Sequence, residues 1–374
     1  VTDGRPTIAA GHPAVPAGRI VHAARAALRC LVPVLALLLA AGGAQACPVC
    51  LPAAGPSMAQ SLARADGILL LAPERGGWRV QAVVKGTAAE AVPVGRLDAV
   101  TDGWAHVVLR DAADAPWRAV GAMPLEQRAW LQALVRAAVD PPSDVGSWQA
   151  HLARMLPALE HPSSWMAAVA HDEIARAPYE RMRALAPQLD ARLLVRWLDD
   201  PALGARAPLY TLLLGIAGGA PAVARIERQL ARAARDGDAT DLAARLVADL
   251  EMRPDRVRWI EVTYLQDARR SPAEVRAALL ALSVQGQADG AVPRSRVVQA
   301  YRAFIRSGHP LAGYVAPDLA GWKDESAVPD YVALLARGTR QQPASTYAML
   351  LYLEQSAQPA AREAARAERA RRAR

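Results

Sequence analysis

The chain has 374 residues, 52% hydrophobic and only 5% aromatic, with 28 prolines and a formal net charge of +8, which suits a protein with more than one folded unit. Residues 1–46 carry +3 of that charge and residues 360–374 carry +4, leaving +1 for the body; a near-neutral body argues against a nucleic-acid groove, which needs clustered cations. Lys85 and Lys323 are the only lysines, so the positive charge is almost wholly arginine, and with so much alanine this reads as coding bias.

The segment Leu31 to Ala46, LVPVLALLLAAGGAQA, follows Arg25 and Arg29 and closes on Ala44-Gln45-Ala46. A positive start, a short apolar run and a small-x-small site form a secretory signal, shorter than the roughly 20 residues that a membrane span needs. Its leader is long, so translation is expected to begin near Val21. No second apolar run follows, so no transmembrane helix is expected after cleavage, and the mature chain is expected in the periplasm or outside the cell.

Cleavage after Ala46 makes Cys47 the first mature residue, in Cys47-Pro48-Val49-Cys50. A lipid anchor at Cys47 is the minor alternative, since a lipoprotein signal wants leucine where Ala44 stands. Once Cys30 leaves with the signal, these are the only thiols, and outside the cytoplasm they are expected to form a local disulfide. The alternative is a redox pair, which needs the motif at a helix start after a strand. A c-type haem needs histidine where Leu51 stands, and zinc needs two further ligands that no second motif supplies; no cofactor or metal is expected.

Strand candidates follow: Ile68 to Leu71, Trp78 to Val84 before Lys85-Gly86, Val92 to Val100, and Trp104 to Leu109 after the turn Asp102-Gly103. Four or five short strands in so few residues predict a small β-barrel or sandwich over 47–120. An N-terminal Cys47, then Ala65-Asp66, then Lys85-Gly86 is similar to netrin-like modules, among them the tissue inhibitors of metalloproteinases. That resemblance implies an oligonucleotide/oligosaccharide-binding (OB-like) barrel and, as a further alternative, protease inhibition through Cys47; the family's multi-disulfide framework is missing here.

Pro124 to Ala138 reads as a helix with Leu125, Leu131, Leu134 and Val135 apolar, and Asp140-Pro141-Pro142-Ser143 as a linker, giving a helix-and-linker segment over 121–143. Helical patterns then fill 144–356. Ser147 is expected to cap one helix, Ser163 or Ser164 the next, and Ser271-Pro272-Ala273-Glu274 is a complete capping box. The stretch Asp190 to Gly219 organises the region. Leu193, Leu194, Trp197 and Leu198 make one amphipathic helix that Asp200-Pro201 ends. A second helix, from Pro208, is apolar on every side through Leu209, Leu212, Leu213, Leu214 and Ile216 until Gly218-Gly219. Only stacked neighbours can bury such a helix. The spacing of Asp-Pro, Arg206 and a leucine run ending in Gly215 resembles HEAT-like repeats, which implies an α-solenoid.

Trp165 to Met182, with Cys47 to Cys50, Ala65-Asp66, Lys85-Gly86, Asp172-Glu173 and Ala177 to Glu180, also resembles uncharacterised exported bacterial proteins carrying an N-terminal CPxC, a small β domain and a HEAT-like region. Residues 357–374, rich in arginine, are expected as a frayed helix or a disordered basic tail open to weak contact with polyanions.

Three further groups invite chemistry. His171, Asp172, Glu173 and Glu180 lie close in sequence, but consecutive helix residues point about 100° apart, so capping and ion pairing are expected in place of a metal site. His151 and His161 are expected at the surface or as caps, and Trp165, Trp197, Trp259 and Trp322 as packing between helices. Neither a serine elbow nor a phosphate loop is present. The reading is a mainly α protein with a small β domain that acts as a non-catalytic exported scaffold for another exported protein.

Overall fold

The computed structural model describes residue 49 and residues 55–75, 77–87, 97–287 and 290–373. The expected signal segment and both cysteines of the Cys47–Cys50 pair lie outside the described residues. Helix α1, Met58–Arg64, comes first: Ser57 Oγ accepts from the Gln60 N–H while the Gln60 side chain accepts from the Ser57 N–H, a closed capping box. Strands β1 (Gly67–Glu74), β2 (Gly77–Lys85), β3 (Trp104–Arg110) and β4 (Arg118–Pro124) follow. They pair antiparallel in the order β2-β1-β3-β4.

This sheet is open, which corrects the expected OB-like barrel. Closure would need β2 and β4 to pair, whereas β4 leans on the helices, and Ser163 Oγ donates to the Ala122 carbonyl at 2.5 Å. The strand expected over Val92 to Val100 is also corrected: residues 97–100 are irregular, and 91–96 lie outside the described residues. The fourth strand is instead β4, which the expected boundary near residue 120 cuts. Gly121 weakens its strand pattern, yet glycine is needed there, because a Cβ would come within 2.1 Å of Trp165 Cγ.

Central β1 is apolar on both faces. Ile68 and Leu70, with Val107 and Met123, join the helical core. Leu69 and Leu71 meet Val108 and Trp117 on the other face, under half-buried Trp78, Val80 and Leu97.

The rest is helical: α2 (Arg128–Val139), α3 (Val145–Met155), α4 (Ser164–Ala175), α5 (Tyr179–Arg183), α6 (Ala191–Asp199), α7 (Ala207–Ala217), α8 (Ala220–Asp236), α9 (Leu242–Met252), α10 (Val257–Ile260), α11 (Pro272–Gly286), α12 (Arg294–Ser307), α13 (Ala316–Gly321), α14 (Val328–Ala336), α15 (Pro343–Gln355) and α16 (Pro359–Arg372). The chain is therefore mainly α with a small antiparallel sheet. The inner sheet face and the helices, from α1 through α16, share one continuous apolar core. No helix among the described residues is long and apolar enough to cross a membrane.

Local signals act as their chemistry dictates. Asp190 caps α6 by accepting from the Arg192 and Leu193 N–H groups at 2.8 and 3.3 Å. Every residue of α7 from Leu209 to Ile216 is buried, and a Cβ on Gly215 would come within 2.5 Å of Ala248 Cα, so α7 and α9 meet backbone to backbone. The cap of α3 is a correction: Asp144 is the N-cap, and Ser147 closes the box from the third helical position.

Of the two forms expected for the basic tail, residues 359–372 take the helical one, α16. Alanine, arginine and glutamate favour helix strongly. Ala361 and Ala365, four apart, are buried, and Arg369 Nη2 donates to Glu354 Oε2 on α15 at 2.9 Å.

Candidate functional site

The three neighbouring titratable groups of α4 diverge. His171 faces Tyr210, Arg206 and Glu160. Burial first, then the Arg206 charge, hold its imidazole down to about 4 from 6.5, against the pull of Glu160. Asp172 accepts from Arg176 Nε at 2.9 Å. Burial pushes the Asp172 carboxyl upward in spite of that bond. Glu173 turns the opposite way and meets His151 Nε2 at 3.2 Å.

His151 is 4% exposed, which corrects its expected surface place: the aliphatic face of α3 carries it inward, where Glu173 supplies the polar partner. His161 is a cap, and its Nδ1 accepts from the Ser163 N–H at 3.0 Å. Glu180 pairs with Arg181 at 3.4 Å. Among the described residues no three His, Cys, Asp or Glu side chains converge to hold a metal. The tryptophans pack as expected: Trp165 meets Trp130 edge-on at 6.3 Å, Trp197 tilts over Tyr210 at 5.0 Å, Trp259 meets Tyr264 at 5.6 Å and Trp322 stacks on Tyr301 at 5.9 Å.

A groove of about 440 Å³ opens between α14, α15 and α16, within the size range of ligand pockets. Beneath it the core closes: Leu334 and Leu335 from α14 and Met349 from α15 are all buried. Gly338, at φ 64, ends α14, and its N–H donates to the Leu335 carbonyl at 3.1 Å. Pro343 opens α15. The loop between them is pinned, because Gln341 Nε2 donates to the Gly308 carbonyl at 3.3 Å and the Gln342 N–H to the Pro310 carbonyl at 3.0 Å. Arg340 is thereby held at the groove mouth.

The opposite wall is the end of α16. Glu368, whose side chain is 12% exposed, accepts from Arg371 and Arg372, each at 2.7 Å. Arg372 Nη2 also donates to Thr346 Oγ1 at 3.3 Å. Arg340 is exposed and makes no hydrogen bond or ion pair among the described residues. Three guanidiniums thus face one carboxylate, so the lining carries a net positive charge. A smaller cavity, about 320 Å³, is lined by Lys323, Asp324, Glu325 and Tyr352 among others. Its carboxylates already have donors: Glu325 accepts from the Ala357 N–H at 2.7 Å and Asp324 from the Ser326 N–H at 2.8 Å.

No family model, curated protein or solved structure matches this chain. Sequence reasoning missed Leu334, Leu335, Arg340, Met349, Arg371 and Arg372 as a group. A signal existed in the Ala361/Ala365 spacing, which marks a helix face fit for docking and would have carried the terminal arginines back onto the body.

Proposed function

We propose that this chain is an exported, non-catalytic binding protein: a HEAT-like helical array with a small β region, holding another exported protein on its helical surface. The carrying observation is the groove between α14, α15 and α16, whose lining sets three guanidiniums against one carboxylate, with Arg340 exposed. Arginine is enriched at protein-recognition surfaces. Export is supported by the Leu31–Ala46 pattern, and a Cys47–Cys50 disulfide would then close the mature N-terminus.

The test is site-specific photo-crosslinking in the exporting cell. A photoreactive residue at Thr339, on the groove edge, should trap one discrete protein from the exported fraction, while the same residue at Arg232, whose side chain is 80% exposed on α8, should not. Equal trapping at both positions, or none at Thr339, would refute the reading. The intact mass of the purified protein should match a chain starting at Cys47 with both thiols oxidised.

A further inference from the structure

We infer that α16 is a strap: it opens as a unit while the rest of the array stays folded, and when closed it supplies one wall of the groove, so its opening governs whether the partner is held. This rests on the protein-binding reading and adds its regulation. Helix α16 reads PAAREAARAERARR, with no leucine, isoleucine, valine, methionine or aromatic residue. Its apolar hold on the body is three methyl groups, Ala361 and Ala365 at 0% exposure and half-buried Ala364. By contrast, α7 buries every residue from Leu209 to Ile216. Buried apolar area is what resists local opening, so α16 is held far more weakly than α7.

The rest of its hold is polar and partly solvated. Arg369 pairs with Glu354 of α15, but the two side chains are 48% and 33% exposed, where an ion pair contributes little. Arg372 Nη2 donates to Thr346 Oγ1 of α15 at 3.3 Å. The hinge is better secured. In the link Ser356-Ala357-Gln358, the Ala357 N–H and Gln358 Nε2 donate to Glu325 at 2.7 and 3.2 Å, and Arg362 Nη1 donates to the Ser356 and Ala357 carbonyls at 2.7 and 2.9 Å. A fixed hinge with a lightly held helix beyond it lets α16 swing without dragging α15. Charge works in both directions. Helix α16 carries five arginines against two glutamates, and closing brings Arg371 and Arg372 to the groove that Arg340 also lines. Glu368 offsets only part of that positive charge. Glu354 therefore pulls the strap shut, and Arg340 pushes it open.

Hydrogen–deuterium exchange on the full-length protein reads the opening. Amides from Glu363 to Ala367, in the middle of α16, should exchange at least about a hundredfold faster than those of α7. Glu354→Gln should speed exchange there by about two- to fivefold, and Arg340→Glu should slow it by about the same factor. Plain fraying from the C-terminus would leave those amides indifferent to both charge changes. Ala365→Asp, which sets a carboxylate where a methyl is buried, should leave α16 unprotected and α7 as protected as in the parent.

Exchange in α16 as slow as in α7, charge variants without opposite effects, or loss of α7 protection in Ala365→Asp would each overturn the strap. The gate is read by the photoreactive residue at Thr339. With Ala365→Asp added, trapping of the partner should fall by at least about tenfold as α16 and its arginines leave the groove. The two readings fail separately. Trapping unchanged in Ala365→Asp would sink the gate and leave protein binding standing. Fast, charge-tuned exchange of α16 in a parent protein that traps nothing would do the reverse.

Discussion

The sheet and the helical array solve one problem in different ways. In the sheet, backbone ladders join neighbouring strands and set their register, so side chains are free to be apolar on both faces of β1. Its ion pairs are peripheral: Asp66–Arg110 and Asp111–Arg118 are both partly or largely exposed. Helices have no backbone bonds to one another. Directional contacts between them must come from side chains, and this array uses arginine against buried carboxylates. Asp249, 0% exposed, holds Arg253 and Arg256 just past the end of its own helix, and Arg253 reaches on to Glu227 of α8 at 3.3 Å. Glu261 holds Arg296 from α12 at 2.8 Å, and Asp330 holds Arg302 at 2.6 Å. Glu251 gathers Tyr179 and Arg183 from α5 and Gln285 from α11. The arginine richness that reads as coding bias in the sequence has become the fastening between helices.

The largest test of that contrast is Asp249→Ala. A buried pair adds little net stability when intact, but its loss removes the buried acceptor that two charges share, leaving Arg253 only Glu227 and Arg256 only the face of Trp259. The variant should lose about 3–5 kcal/mol, read as a lower denaturant midpoint at unchanged slope. A loss below about 1 kcal/mol would mean that Arg253 and Arg256 simply swing to water, and the fastening idea would fail.

Acid should also strike the array before the sheet. His171 stays neutral in the fold, with a value of about 4 against 6.5 when free. As pH falls from 6.5 to 4, the unfolded chain takes up a proton that the folded chain refuses, so stability drops by up to about 3 kcal/mol and then levels off. Below that window Glu261 and Glu274 act. Burial tends to raise both carboxyls, but in Glu261 the Arg296 and Arg258 guanidiniums, and in Glu274 the Ser271 cap and Arg270, outweigh it, so both lie below the ordinary range. Their stabilisation is complete above the unfolded carboxyl range and is lost as pH falls through the lowered folded values. Denaturant midpoints taken across pH 4 to 7 on the parent and His171→Gln should show the first loss only in the parent.

The sequence showed the array better than the sheet, and the reason is physical. Helical signals are local: the Asp190 cap, the Asp200-Pro201 stop and the Ser271 box each lie within a few residues of what they control. The openness of the sheet depends on which distant strand lies beside which, and β4 is hidden by a glycine whose purpose appears only when Trp165 is seen against it. The groove is harder still. Arg340 and Glu368 are separated by two helix ends, and nothing local says that α16 folds back to bring them together.

Gly121→Ala tests the seam between the two regions. Its new methyl would overlap Trp165, and such overpacking costs about 1–3 kcal/mol. Because the contact is shape and not charge, the loss should be the same at pH 5 and pH 7 and in low or high salt, unlike that of Asp249→Ala. A salt-dependent loss would show that the seam, too, is electrostatic.

The smallest effect concerns how helices end. The array closes α7, α8, α12 and α14 with glycines at positive φ, Gly218, Gly237, Gly308 and Gly338, but closes α13 with Lys323 at φ 55. A left-handed conformation costs an ordinary residue about 1–2 kcal/mol, and part of that is returned by the lower entropy of a non-glycine unfolded chain. Lys323→Gly should therefore stabilise the protein by about 0.5–1 kcal/mol, measurable as a raised melting temperature. Lys323 is also one of only two lysines in the chain, and it lines the cavity with Asp324, Glu325 and Tyr352. If the glycine variant is no more stable, the packing of the Lys323 side chain against that cavity offsets the backbone strain.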